Sequence, residues 1–130
     1  MLRLQLTSFT MWARSAESAA RELLGDTARA EIVEGSASMW RVEDPRQLDE
    51  PLGPCRSLVT FSADRAVEVE VVPGSQGQPV PPDGIDDAVA VVQVTRGCVL
   101  VLDGRCWYRV REPSSLRIEL WASRPKAVTL

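Results

Sequence analysis

Histidine is absent from this sequence, which removes the commonest general base near neutral pH, the usual catalytic triad and most zinc sites. No phosphate-binding glycine loop, Walker motif, dinucleotide fingerprint or paired-cysteine knuckle is present either. An enzyme built on this chain would depend on carboxylates, cysteine or tyrosine, so the balance leans away from catalysis. Nothing in the sequence calls for a cofactor.

Lysine is nearly absent as well. Lys126 stands alone beside fourteen arginines, a bias that, with the alanine, valine, glycine and proline content, suggests a GC-rich bacterial genome. The net charge of −3 and an isoelectric point near 5.0 argue against general affinity for nucleic acid or anionic membrane, since both require a basic footprint. Long hydrophobic runs are missing: no segment reaches the length of a membrane span, and the stretch MLRLQLTSFTMW lacks the apolar run and cleavage site of a signal peptide. Three cysteines, an odd number at irregular positions, do not make a disulfide framework. A reduced, cytoplasmic protein is the expectation.

What is present is apolar content of 45%, enough at 130 residues to bury a core without staples, and a single domain over 1–130 is expected. Asp87 to Ser123 reads as four strands in succession. Asp103-Gly104 between apolar β-branched runs suits a two-residue hairpin turn, and Arg96-Gly97 suits another before it. These pairings would set Leu100 opposite Trp107 and Val99 opposite Tyr108, with Val99 and Val101 on the core face.

Before this stretch, the alternating Leu2, Leu4 and Leu6 indicate a half-buried strand. Ser15 opens a helix through Leu24, with Glu17 in its first turn, Gly25 at its end, and an apolar stripe of Ala16, Ala19, Ala20, Leu23 and Leu24. Residues 30–33 with 37–42, and 57–62 with 65–72, read as two further hairpins, the second with Val67, Val69 and Val71 inward and Glu68 and Glu70 on the solvated side. Residues 73–86 form a long loop rich in proline and glycine. The fold class that follows is α+β: a mostly antiparallel, strongly bent sheet or partial barrel of about eight or nine strands, a hairpin meander in its C-terminal half, and one N-terminal helix packed on it.

Candidate chemistry is sparse. Cys55, next to Arg56 at a loop-to-strand junction, could carry a depressed pKa and act as a nucleophile, although a free cysteine in such a place is more often a packing residue. Asp83, Asp86 and Asp87 cluster at the end of the proline loop and could ligate a hard cation, but they lack calcium-loop spacing and equally suit a turn and a soluble strand edge. The stronger signal is a face carrying Arg105, Trp107, Arg109, Arg117, Glu119 and Trp121. Arginine interleaved with tryptophan is the composition of interaction hot spots, and also of cation–π pairs on an ordinary outer surface. The sequence therefore points to a non-catalytic binding protein that uses this face for a protein partner or for self-association as a homodimer. The alternative is a small cytoplasmic ligand-binding barrel or histidine-free enzyme, with a cavity lined by Tyr108, Trp40 or Cys55 and with Cys55 or an acidic pair such as that including Asp86 carrying the chemistry.

Overall fold

The computed structural model describes residues 9–35, 39–44, 57–75 and 89–123. In chain order these form β1 (Phe9–Trp12), α1 (Ala16–Leu24), β2 (Ala28–Ile32), β3 (Ser57–Ser62), β4 (Val67–Val71), β5 (Ala90–Val94), β6 (Val99–Asp103), β7 (Tyr108–Val110), a 3-10 turn (Pro113–Ser115) and β8 (Arg117–Ser123). The fold class is the one the sequence implies: among the described residues, one α-helix and eight antiparallel strands in open rather than closed sheets.

The helix follows from its local chemistry. Ser15 caps it, its hydroxyl accepting from the Ser18 amide at 3.2 Å; Glu17 and Arg21 pair one turn apart; and Gly25 adopts φ 93° while its amide donates to the Arg21 carbonyl. Ala19 and Ala20 are fully buried. Their small side chains bring α1 close to the sheet, over Leu58, Val99, Val101 and Trp121.

The strands divide into a five-stranded sheet, ordered β1-β6-β3-β8-β2, and a three-stranded sheet, ordered β5-β4-β7. Arg41 extends the smaller one, its amide and carbonyl bonding the carbonyl and amide of Tyr108 in β7. Among the described strands, only β4 and β5 are successive in sequence and paired with one another. From β3 to β4, β5 to β6, β6 to β7 and β7 to β8 the chain changes sheet at every step, which is the connectivity of a double-sheet jelly roll. Between the sheets pack Val59, Phe61, Leu100, Leu102 and Ile118 from the larger and Val69, Val71, Val94, Tyr108 and Val110 from the smaller. The larger sheet is thus covered on both faces, and the smaller on its inner face.

This crossing corrects the expected pairings. Asp103-Gly104 does not close a β6–β7 hairpin: β6 lies between β1 and β3, and β7 pairs with β4. Arg96-Gly97 does make a tight turn, with the Cys98 amide donating to the Thr95 carbonyl and Gly97 at φ 86°, yet β5 and β6 join different sheets. Likewise β3 and β4 are not partners, and β2 pairs with β8 rather than with the segment around Arg41. On β6 the inter-sheet core receives Leu100 and Leu102, while Val99 and Val101 lie under the helix. The inward set on β4 is as read: Val67, Val69 and Val71 are buried. The strand of Leu2, Leu4 and Leu6, the Pro45–Pro54 segment and most of the 73–86 loop lie outside the described residues.

Candidate functional site

The outward face of the smaller sheet gathers polar and aromatic side chains in a lateral row. With Val67, Val69 and Val71 inward, Glu68 and Glu70 must point out. Register places Val91 of β5 beside Glu70 of β4, and Glu70 beside Arg109 of β7. Arg109 donates from Nε to the Glu70 carboxylate at 2.5 Å, and Arg111 adds a second guanidinium at 3.1 Å. The Arg109 guanidinium lies over the Trp40 ring, 4.5 Å from its centroid, which carries the row beyond β7 on the segment that Arg41 anchors.

Glu70 is only 7% exposed although it sits on an outer face, because two guanidinium groups and the neighbouring strands cover it. Hydrogen bonding from Arg109, reinforced by the charges of Arg109 and Arg111, outweighs burial and holds its carboxyl below the ordinary range. Val91, at the other end of the row, is 56% exposed.

Tyr108 projects the other way, into the core, edge-on to Phe61 with centroids 5.0 Å apart. Its hydroxyl donates to Glu43 at 2.5 Å, and Arg41 pairs with the same carboxylate at 3.1 Å. Burial, together with the Glu43 acceptor, raises the phenol pKa well above its usual value. This phenol is a structural donor.

The six residues of the expected arginine and tryptophan face occupy three places. Arg105 is buried in the turn after β6, where its amide and Nε bond one oxygen of Asp103 at 3.0 and 2.9 Å and its Nη2 bonds the other at 2.8 Å. Trp107 is buried where the chain passes between sheets, its amide donating to the Ser75 hydroxyl. Arg117, Glu119 and Trp121 share the helix-bearing face of the larger sheet: Arg117 pairs with Glu119, and Trp121, buried beneath α1, donates from its indole to Thr60 at 3.0 Å. Arg109 alone reaches the outer face of the smaller sheet. The aromatic partner it finds is Trp40, which sequence periodicity could not place because its segment meets the sheet by a single bridge. Cys55, Asp83, Asp86 and Asp87 lie outside the described residues. Among the described residues, no three Cys, Asp or Glu side chains are grouped to hold a metal ion.

A shallow hollow of about 370 Å³ opens between the β3–β4 turn and the 3-10 turn, lined by Ser62, Asp64, Ser114, Ser115 and Arg117 among others. Arg65 spans its neighbourhood, bonding Ser115 and Glu112. It presents no buried polar group to a ligand.

No protein-family model matches the chain, and no curated protein matches it. Solved structures are similar at low identity. A non-heme monooxygenase, apo ThoJ, aligns at 15% identity with a TM-score of 0.48, covering 85% of this chain and 53% of its own. The nickel complex of ThoJ aligns at 12% and 0.45, covering 85% and 51%. The epimerase SnoN, solved with Fe3+, alpha ketoglutarate and nogalamycin RO, aligns at 14% and 0.36, covering 97% and 85%. The chain spans about half the length of the ThoJ structures it matches. Likeness at this level says nothing of this chain's activity.

Proposed function

We propose that this protein is a non-catalytic interaction module of the cytoplasm, and that it binds a protein partner through the outer face of β5-β4-β7. The observation that carries the reading is the row Val91, Glu70, Arg109 and Trp40. Its charges are already paired within the chain, so covering them with a partner costs less desolvation than covering free ions. Its two ends are a half-exposed tryptophan and an exposed valine, and tryptophan and arginine are the residue types that most often dominate binding energy. Across the face, β4 presents the acidic row of Glu68 and Glu70, and β7 with its extension presents Arg109 and Arg111. A protein surface with acidic and basic rows in the opposite order would meet both. The lack of histidine and the apolar filling between the sheets accord with binding rather than catalysis. No described helix is long and apolar enough to cross a membrane.

The test is affinity capture from source cells with three forms of the chain. Trp40→Ala should weaken retention of the partner by about 30-fold or more, as expected when an aromatic anchor is removed. Glu22→Ala, on the exposed side of α1, should retain it like the wild type. Melting curves of all three should show an intact fold. Equal retention by the Trp40 variant would eliminate this face as the binding surface.

A further inference from the structure

The outer edge of β2 carries a second, independent message. β2 is an edge strand of the five-stranded sheet, and among the described residues nothing pairs with its free side. Its sequence is Ala28, Arg29, Ala30, Glu31, Ile32, all exposed except Ala28, and Ile32 is 62% exposed.

Hydrogen-bond parity fixes what that edge offers. The Val33 amide donates to the Ile118 carbonyl of β8 at 2.9 Å. Antiparallel strands turn alternate residues to alternate sides, so Glu31 and Arg29 also face β8, and Ala28, Ala30 and Ile32 turn their peptide groups outward. The Ala28 amide is taken by the Gly25 carbonyl at 3.3 Å. The edge therefore presents the amides and carbonyls of Ala30 and Ile32, and at its end the Ala28 carbonyl, one lone pair of which accepts from Arg29 Nη1 at 3.3 Å.

We propose that this edge pairs with the same edge of a second copy of the chain, antiparallel about a two-fold axis at Ala30. In that register Ala30 meets the partner's Ala30 in a hydrogen-bonded pair, and each Ile32 amide reaches the Ala28 carbonyl across the axis. Arg29 of each copy then falls opposite Glu31 of the other, at the closely spaced non-hydrogen-bonded positions where cross-strand side chains interact most directly. Charges of one sign would guard an edge against pairing. Opposite charges two residues apart around a small central residue do the reverse, and they are complementary to themselves only under two-fold symmetry. Ile32 and Ala30 point to the helix-bearing face, so pairing also brings each exposed Ile32 against the other copy. The product is one continuous ten-stranded sheet with the small sheets left free.

Sedimentation equilibrium at up to about 100 μM tests the pairing, a range that reaches dimers of micromolar affinity. The wild type should be a dimer. Arg29→Glu and Glu31→Arg should each weaken association by about tenfold or more, because two attractive cross-strand pairs become two repulsive ones. Mixing the two variants should restore a heterodimer, since every charge then meets its opposite. Ala30→Pro removes an outward amide without touching the ladder to β8 and should yield monomers with an unchanged melting temperature. A monomeric wild type over this range overturns the proposal, as does a dimer indifferent to both charge reversals or a mixture that fails to associate.

Discussion

Glu70 shows how a residue readable as solvent-facing becomes a structural centre. Alternation with buried valines puts it outward, which the sequence conveys, but two arginines some forty residues away, Arg109 on β7 and Arg111 just past its end, close over it. Glu70→Gln should cost about 1–2 kcal/mol at neutral pH, the scale of a charge-assisted hydrogen bond discounted for the exposure of Arg111. Its carboxyl is held below the ordinary 4.5, so this stabilisation is present above that pH and is lost as pH falls through the folded value. The difference between wild type and the glutamine variant in urea unfolding should therefore shrink on acidification. Tyr108 has the opposite sign. Its phenol is raised above the usual 10.0, so the unfolded chain ionises first and stability declines as pH climbs past about 10. Tyr108→Phe should be less stable than wild type at neutral pH by about 1 kcal/mol. It should lose that disadvantage in alkali.

Elements were legible to the degree that their signals are local. The helix is written in Ser15, Glu17 and Gly25, and its bounds follow from those caps alone. Strand partners are another matter, because a tight turn looks the same whether the chain folds back on itself or steps to a second sheet. Asp103-Gly104 is the instructive case. Here the aspartate grips Arg105, and the glycine lets the backbone pass Ser57: a Cβ at Gly104 would stand 2.1 Å from the Ser57 hydroxyl, while the Gly104 amide donates to the Ser57 carbonyl at 2.9 Å. The glycine is required by close approach rather than by a hairpin. Gly104→Ala should destabilise by about 1–3 kcal/mol, the cost of overpacking a closed site, whereas Gly74→Ala, with open space around it, should act only through its positive φ. The apolar Leu100 and Leu102 opposite Val99 and Val101 imply that both faces of β6 are covered, and all five of its residues are buried, one face under the smaller sheet and the other under the helix. Truncation on either face is then costly, and Leu100→Ala should lose about 2–5 kcal/mol in denaturant unfolding.

At the scale of the molecule, the alternation of strands between two sheets divides the surface into working parts. Among the described residues, the helix closes one side of the larger sheet and the smaller sheet closes the other, and the outer face of β5-β4-β7 and the free edge of β2 lie outside both contacts. The pattern of periodicity and turn signals foretold the antiparallel α+β architecture. It could not foretell which arginine meets which tryptophan, since the six-residue face depended on strand pairings that the crossovers dissolve: Trp107 and Trp121 are spent on burial, and Arg109 is left to stack on Trp40. The most direct measurement of the proposed role is crosslinking in source cells through a photoreactive side chain placed at Val91, beside the Glu70–Arg109 pair, with the same group at Glu22 as reference. A discrete protein adduct from position 91 that is absent from position 22, and abolished when Trp40→Ala is added, is the predicted result. Adducts of equal yield from both positions, or none from position 91, would contradict the assignment of this face.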